Sequence, residues 1–279
     1  MGRRILIADG IATNRMVLKQ KLSALSYEVL QAESAAEALQ IARRQHPDLM
    51  ILDDRLPDRR GTALCHALKV SPARAEMPIL MLAAANDRDL RLAALKAGAD
   101  DLLPKPINDV VLMARVRSLF RAAETRAELR RRENNALDIG MADAPARFER
   151  RGRTVLISSD ANRFSALAGV ISQLTGTPIA VQPPDLALES AIQGAPADLY
   201  LLTHPIQRPG GALGLLSDLR SRSSTRFSSV LVMTGTGSTA AAAAALDMGA
   251  NDLVAEDADP VEMAHRIKTQ MARKLEADS

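Results

Sequence analysis

The 279-residue sequence is 47% hydrophobic and 25% charged, with a formal net charge of +3. That is the balance of a globular chain long enough for about two domains, each burying its own core. One cysteine excludes an internal disulfide, four scattered histidines (His46, His66, His204, His265) offer no metal-ligand spacing, and 2% aromatic residues without tryptophan supply no stacking platform for nucleic acid.

The first apolar stretch, Ile5 to Ala8, is too short for a leader or a membrane span, so a cytoplasmic protein is expected. Short apolar runs then alternate with helical patterns. The runs are Arg4–Ala8, Tyr27–Ala32, Asp48–Leu52, Ile79–Leu82 and Asp101–Leu103. Helical stretches lie between and after them, at Asn14–Leu25, Ser34–Gln45, Gly61–Lys69, Arg88–Ala97 and from Asp109 onward. Ser34 and Glu37 form a capping box at the second helix. Cys65 and His66 read as a packed thiol beside a surface imidazole. Strands separated by helices must pair in parallel, because parallel strands need a crossover. The expected architecture is a doubly wound α/β sheet with its working crevice at the carboxyl ends of the strands.

The last of these helices overruns its domain. Leu112, Val116, Leu119 and Ala123 follow a 4-3-4 spacing that predicts a short coiled-coil-like seam. From Arg115 to Arg153, eleven arginines face six acidic residues, which reads as a solvated helix and linker. Asp138 to Arg151, with Gly140 and Pro145, is the expected linker proper. The strand pattern restarts at Thr154–Ser158 and continues at Ile179–Val181, Leu199–Leu202, Val230–Met233 and Asp252–Val254. The final helix opens on Asp259-Pro260, a cap followed by a first-turn proline. Gly98-Ala99-Asp100-Asp101 matches Gly249-Ala250-Asn251-Asp252, an offset of about 150 residues that signals duplicated domains and not a solenoid repeat. The expected division is a first domain at 1–132, a linker at 133–152 and a second domain at 153–279.

Aligning strand ends places the chemistry. Asp9 follows the first strand, Asp53 the third, Ala83 lies at the fourth and Lys105 follows the fifth. In a parallel sheet these ends are neighbours, so two carboxylates and an ammonium converge. Grouped carboxylates call for a cation, and Mg²⁺ takes a few carboxylates plus water and phosphate oxygens. Asp54 is a further acid, but strand alternation turns it away from Asp53's side.

The run Pro47-Asp48-Leu49-Met50-Ile51-Leu52-Asp53, the later Pro57 and Gly61, and Pro104-Lys105-Pro106 resemble the response-regulator receiver family. Val110 to Leu119 is similar, more specifically, to PleD-type diguanylate cyclases, in which two receivers precede a GGDEF domain that makes cyclic di-GMP. The resemblance implies flavodoxin-like domains, Asp53 as phosphoacceptor and Lys105 as partner of the phosphoryl oxygens. It implies Mg²⁺ held by Asp9, Asp53 and the backbone carbonyl of Arg55, and a histidine kinase or phosphotransfer protein as donor. The departures imply weakness. Gly10 stands where a second acid is usual, so Mg²⁺ binding should be weak, and Ala83 replaces the hydroxyl that senses the phosphoryl group. The second domain retains less, with Ser159-Asp160 at its first strand end, Thr203 for the acceptor, Thr234 at the switch and Glu256 for the lysine. It is expected to be a pseudo-receiver serving as adaptor or dimerisation domain.

No GGDEF-like motif occurs in the sequence, so no enzymatic activity is expected of these residues and the output is expected to lie outside them. A phosphatase that uses an aspartate nucleophile would want a second acid at Arg55. A stand-alone, phosphorylation-independent interaction regulator is the alternative. A homodimer is expected through the fourth and fifth helices of the first domain, where Arg88, Asp89, Arg91, Asp101 and Arg115 offer both signs of charge.

Overall fold

A computed structural model describes residues 2–84, 87–138, 152–194, 196–203, 205, 209–235 and 239–277, without side chains at 129–130 and 132–138. The linker stretch 139–151, with Gly140 and Pro145, and His204 lie outside the described residues. The chain divides into two compact units, Met1–Ala123 and Glu124–Ser279.

In the first unit β1 (Arg4–Ala8), α1 (Ala12–Ser23), β2 (Glu28–Ala32), α2 (Ala35–Gln45), β3 (Leu49–Asp53), α3 (Gly61–Lys69), β4 (Ile79–Ala84), α4 (Arg88–Lys96) and β5 (Asp101–Lys105) alternate. The helix α5 (Asp109–Asp138) then runs beyond the unit's last residue, Ala123. The strands form one parallel sheet in the order β2-β1-β3-β4-β5. Its interior strands are apolar on both faces, as a sheet covered on both sides requires. Ile5, Ile7, Leu49, Ile51, Leu80 and Leu82 meet α1 and α5 on one side. The alternate residues, Leu6, Ala8, Met50, Leu52, Ile79 and Met81, meet α2, α3 and α4 on the other.

Local chemistry fixes the helix starts. The Ser34 hydroxyl caps the helix by accepting from Glu37 N at 3.2 Å, while the Glu37 carboxylate reaches back one residue further than a capping box requires, to Glu33 N at 2.8 Å. Leu112, Val116 and Leu119, expected to make a coiled-coil-like seam, are spent on the first unit's core. The 4-3-4 spacing cannot distinguish packing on a sheet from packing on another helix. Cys65 is fully buried and His66 exposed, as expected.

The second unit repeats the plan with β6 (Thr154–Ile157), α6 (Ala161–Thr175), β7 (Ile179–Gln182), α7 (Pro184–Ile192), β8 (Leu199–Leu202), α8 (Gly211–Ser221), β9 (Ser229–Thr234), α9 (Thr239–Asp247), β10 (Asp252–Ala255) and α10 (Pro260–Ala277). The strand order β7-β6-β8-β9-β10 is that of the first sheet. Both units are therefore flavodoxin-like. Asp259 Oδ1 accepts from Val261 N at 2.8 Å, giving α10 its expected cap. Phe164, Ala168 and Ile171 of α6 and Met263, Ala264 and Ile267 of α10 close one face of the sheet.

Asp101 and Arg115 correct one expectation. Both are buried and pair with each other, so neither offers charge to a dimer partner. A buried ion must be paired and hydrogen-bonded, and this requirement overrides the usual exposure of charged residues. Arg88 and Asp89 are exposed. Among the described residues no helix is long and apolar enough to cross a membrane.

Candidate functional site

The first crevice opens where β1, β3, β4 and β5 end. Asp53 is the last residue of β3, Lys105 the last of β5, and Asp9 directly follows β1. Lys105 Nζ donates to Asp53 Oδ2 at 2.8 Å and lies 3.9 Å from Asp9 Oδ2. The structure thus brings the expected triad together. Two buried carboxylates, 1% (Asp9) and 7% (Asp53) exposed, share one ammonium.

Asp9 is held by three groups. Ile11 N donates to its Oδ1 at 2.8 Å and Asn14 Nδ2 to its Oδ2 at 3.0 Å. Arg15 Nη1 donates to its carbonyl at 2.7 Å. Sequence reasoning missed Asn14 and Arg15, whose spacing from Asp9 is legible only once α1 is known to start beside it. Ala83 is buried and brings no hydroxyl to the crevice.

At Gly10 a Cβ would lie 3.4 Å from the Arg55 carbonyl oxygen and 3.3 Å from Pro57 Cδ. The position of the absent acid therefore faces the carbonyl expected to bind metal. Among the described residues no three acidic, histidine or cysteine side chains gather at one point. Two carboxylates and one carbonyl fit an Mg²⁺ ion that keeps much of its water, since Mg²⁺ is commonly bound by one or two carboxylates with water and phosphate. They do not make a closed protein cage.

The loop after Asp53 is tied down outside the crevice. Asp54, 1% exposed, accepts from Arg60 Nη1 at 2.6 Å and from Thr62 N at 3.1 Å. It is not a replacement metal acid. Asp58 Oδ1 and Oδ2 accept from Ala35 N and Ala36 N at 2.8 and 2.9 Å, and these two amides hold its carboxyl below the usual range. A carboxylate at a helix N-terminus satisfies donors that the helix leaves open.

Strand register in the second unit puts Thr203 in Asp53's place, Thr234 in Ala83's and Glu256 in Lys105's. It moves the first strand end by one residue from the expected Ser159-Asp160. Ser158 N donates to Gln182 O as Asp9 N donates to Ala32 O, so Ser158-Ser159 occupies the place of Asp9-Gly10. Asp160 is instead the cap of α6, accepting from Arg163 N at 3.1 Å. A cap and a crevice acid look alike when only the end of an apolar run is visible. Thr203 is fully buried and its hydroxyl donates to Ile157 O at 3.0 Å. Glu256 pairs with Arg163.

Residues 5–117 match the response regulator receiver domain. The response regulator PleD of Caulobacter vibrioides is 36% identical over 279 residues, 100% of this chain and 61% of PleD. The chain thus spans less than two thirds of that relative. The phosphate regulon transcriptional regulatory protein PhoB of Pseudomonas aeruginosa is 35% identical over 121 residues, 43% of this chain and 53% of PhoB. Among solved structures, a CheY-like response regulator receiver domain protein from Methanospirillum hungatei is 29% identical over 44% of this chain and 98% of its own, with a TM-score of 0.42. Residues 5–117 are thus a response-regulator receiver domain, a second unit of the same strand order follows it, and the chain is similar to PleD along its whole length.

Proposed function

We propose that the first unit accepts a phosphoryl group on Asp53 from a histidine kinase or phosphotransfer protein, and does so with a weakened site. The observation that carries this reading is the Asp53–Lys105 contact of 2.8 Å beside buried Asp9. An Asp53 carboxylate oxygen attacks phosphorus, the donor's P–N bond breaks, and an acyl phosphate forms. Lys105 then pairs with the phosphoryl oxygens. Asp9, Asp53 and the Arg55 carbonyl would hold Mg²⁺, which neutralises the incoming charge when bound. Gly10 removes one acid from this set, and Ala83 removes the hydroxyl that would pull on the phosphoryl group.

The second unit is a pseudo-receiver, because Thr203 cannot form an acyl phosphate and Glu256 would repel a phosphoryl group. Its role is that of an adaptor within a homodimer. The chain regulates an output such as a GGDEF diguanylate cyclase, not present in these residues; similarity to PleD over the whole chain supports this reading. Gly10 and Ala83 together favour one alternative, a regulator that works by protein contact without phosphorylation. Acetyl phosphate with Mg²⁺, followed by intact-mass measurement, separates the two. Slow addition of one phosphoryl group, abolished by Asp53→Asn, is expected, and no addition at saturating Mg²⁺ would support the alternative.

A further inference from the structure

Asp54 is a buried carboxylate on the side of β3 turned from the crevice, and its contacts all concern the loop that follows Asp53. An isolated buried carboxylate is costly, and this one is met by an arginine and a backbone amide. The arginine, Arg60, is 72% exposed along its side chain, so a surface residue is drawn onto a buried charge. Each of the two positions is also tied by its backbone to the other's chain neighbour. Gly61 N donates to Asp54 O at 2.8 Å, and Arg55 bridges Arg60 in antiparallel fashion. At Gly61 a Cβ would lie 2.2 Å from the Asp53 carbonyl oxygen and 2.8 Å from Asp54 Cα, so the start of α3 presses directly on the acceptor's backbone. The loop so closed carries the Arg55 carbonyl, which faces the empty corner at Gly10.

We infer that Asp54, acting through Arg60, is a positioning residue that presets the Arg55 carbonyl for a cation at the Asp53 crevice. This rests on the acceptor reading of Asp53. A site with one acid fewer gains more from a donor already in place, because no ordering cost remains to be met when the ion binds. The Asp58 carboxylate on the α2 amides anchors the same loop at its far side.

The test is an Mg²⁺ titration of the full chain, read from the backbone amide NMR signals of residues 55–60, with acetyl phosphate labelling rates measured in parallel. Asp54→Asn keeps an acceptor for Thr62 N–H and removes the charge, and Arg60→Gln alters only an exposed side chain. Each is expected to weaken the Mg²⁺ midpoint about tenfold. The double variant should be no weaker than either single one, since both break one interaction. Arg60→Lys should recover part of the loss, and labelling at saturating Mg²⁺ should stay within about twofold of wild type. Unchanged midpoints in both single variants would overturn the inference, as would a wild-type chain with no Mg²⁺ response. A wild-type chain that binds Mg²⁺ but takes no phosphoryl group would sink the acceptor assignment instead, and the midpoints would still decide the positioning role of Asp54.

Discussion

The two units keep the same scaffold contacts and differ in the crevice those contacts support. Asp101 pairs with Arg115 in the first unit and Asp252 with Arg266 in the second, each pair joining the fifth strand to the last helix. Lys69, late in α3, reaches Asp100 at 2.5 Å and the carbonyls of Ala75 and Met77. Arg220, late in α8, reaches Asn251 at 2.7 Å and the carbonyls of Arg226 and Ser228. Asp100 also accepts from Ile79 N, the first amide of β4, and Asn251 from Val230 N, the second of β9. The carboxyl ends diverge: Asp9, Asp53 and Lys105 become Ser158, Thr203 and Glu256. The two units therefore agree at the amino ends of their fifth strands, where these pairs lie, and differ at the carboxyl ends.

The largest effects should come from the shared pairs. Arg115→Ala or Arg266→Ala takes the guanidinium away from a buried carboxylate and should cost about 3–5 kcal/mol, read by hydrogen exchange in the affected unit. Arg266 should cost more, because its guanidinium meets Glu262 as well as Asp252. Equal and negligible losses would remove the scaffold argument.

Next in size is Gly10→Asp. Its new carboxylate would face the Arg55 carbonyl, and Mg²⁺ should bind about tenfold more tightly in the same titration. An unchanged midpoint would show that the metal corner is misplaced. The Pro57 contact at 3.3 Å must yield slightly for this to happen.

A subtler effect concerns the one cysteine, which lies in the first unit. Burial pushes the Cys65 thiol from 9.0 to about 12. Iodoacetamide at pH 8 should therefore modify it only on unfolding, making it a clock for the first unit alone. Between pH 9 and 12 the unfolded chain loses this proton and the folded unit keeps it, so the first unit's stability should fall as pH rises. Rapid labelling of the native protein would contradict the burial. The smallest effect is expected of Thr203→Asp, which should remain unphosphorylated because Ser158 and Glu256 still surround it.

Much of this comparison was legible in the sequence. Arg4–Ala8 and Leu199–Leu202 are strands to the residue, since buried parallel strands are unbroken apolar runs bounded by polar ones. Asp9, Asp53 and Lys105 converge because strand order alone brings their ends together. What escaped depended on side-chain partners distant in sequence. Arg115 looked like surface charge because nothing in α5 itself reveals Asp101. Asp58 carries no local signal at all, since its donors belong to a helix that precedes it by about two dozen residues.

The most direct test of the difference between the units is to locate the phosphoryl group after acetyl phosphate treatment with Mg²⁺, by peptide mass spectrometry under conditions that preserve acyl phosphates. A single modified peptide containing Asp53, absent from the Asp53→Asn protein, is the predicted result. A phosphoryl group on any peptide of the second unit, or one that persists in Asp53→Asn, would contradict it.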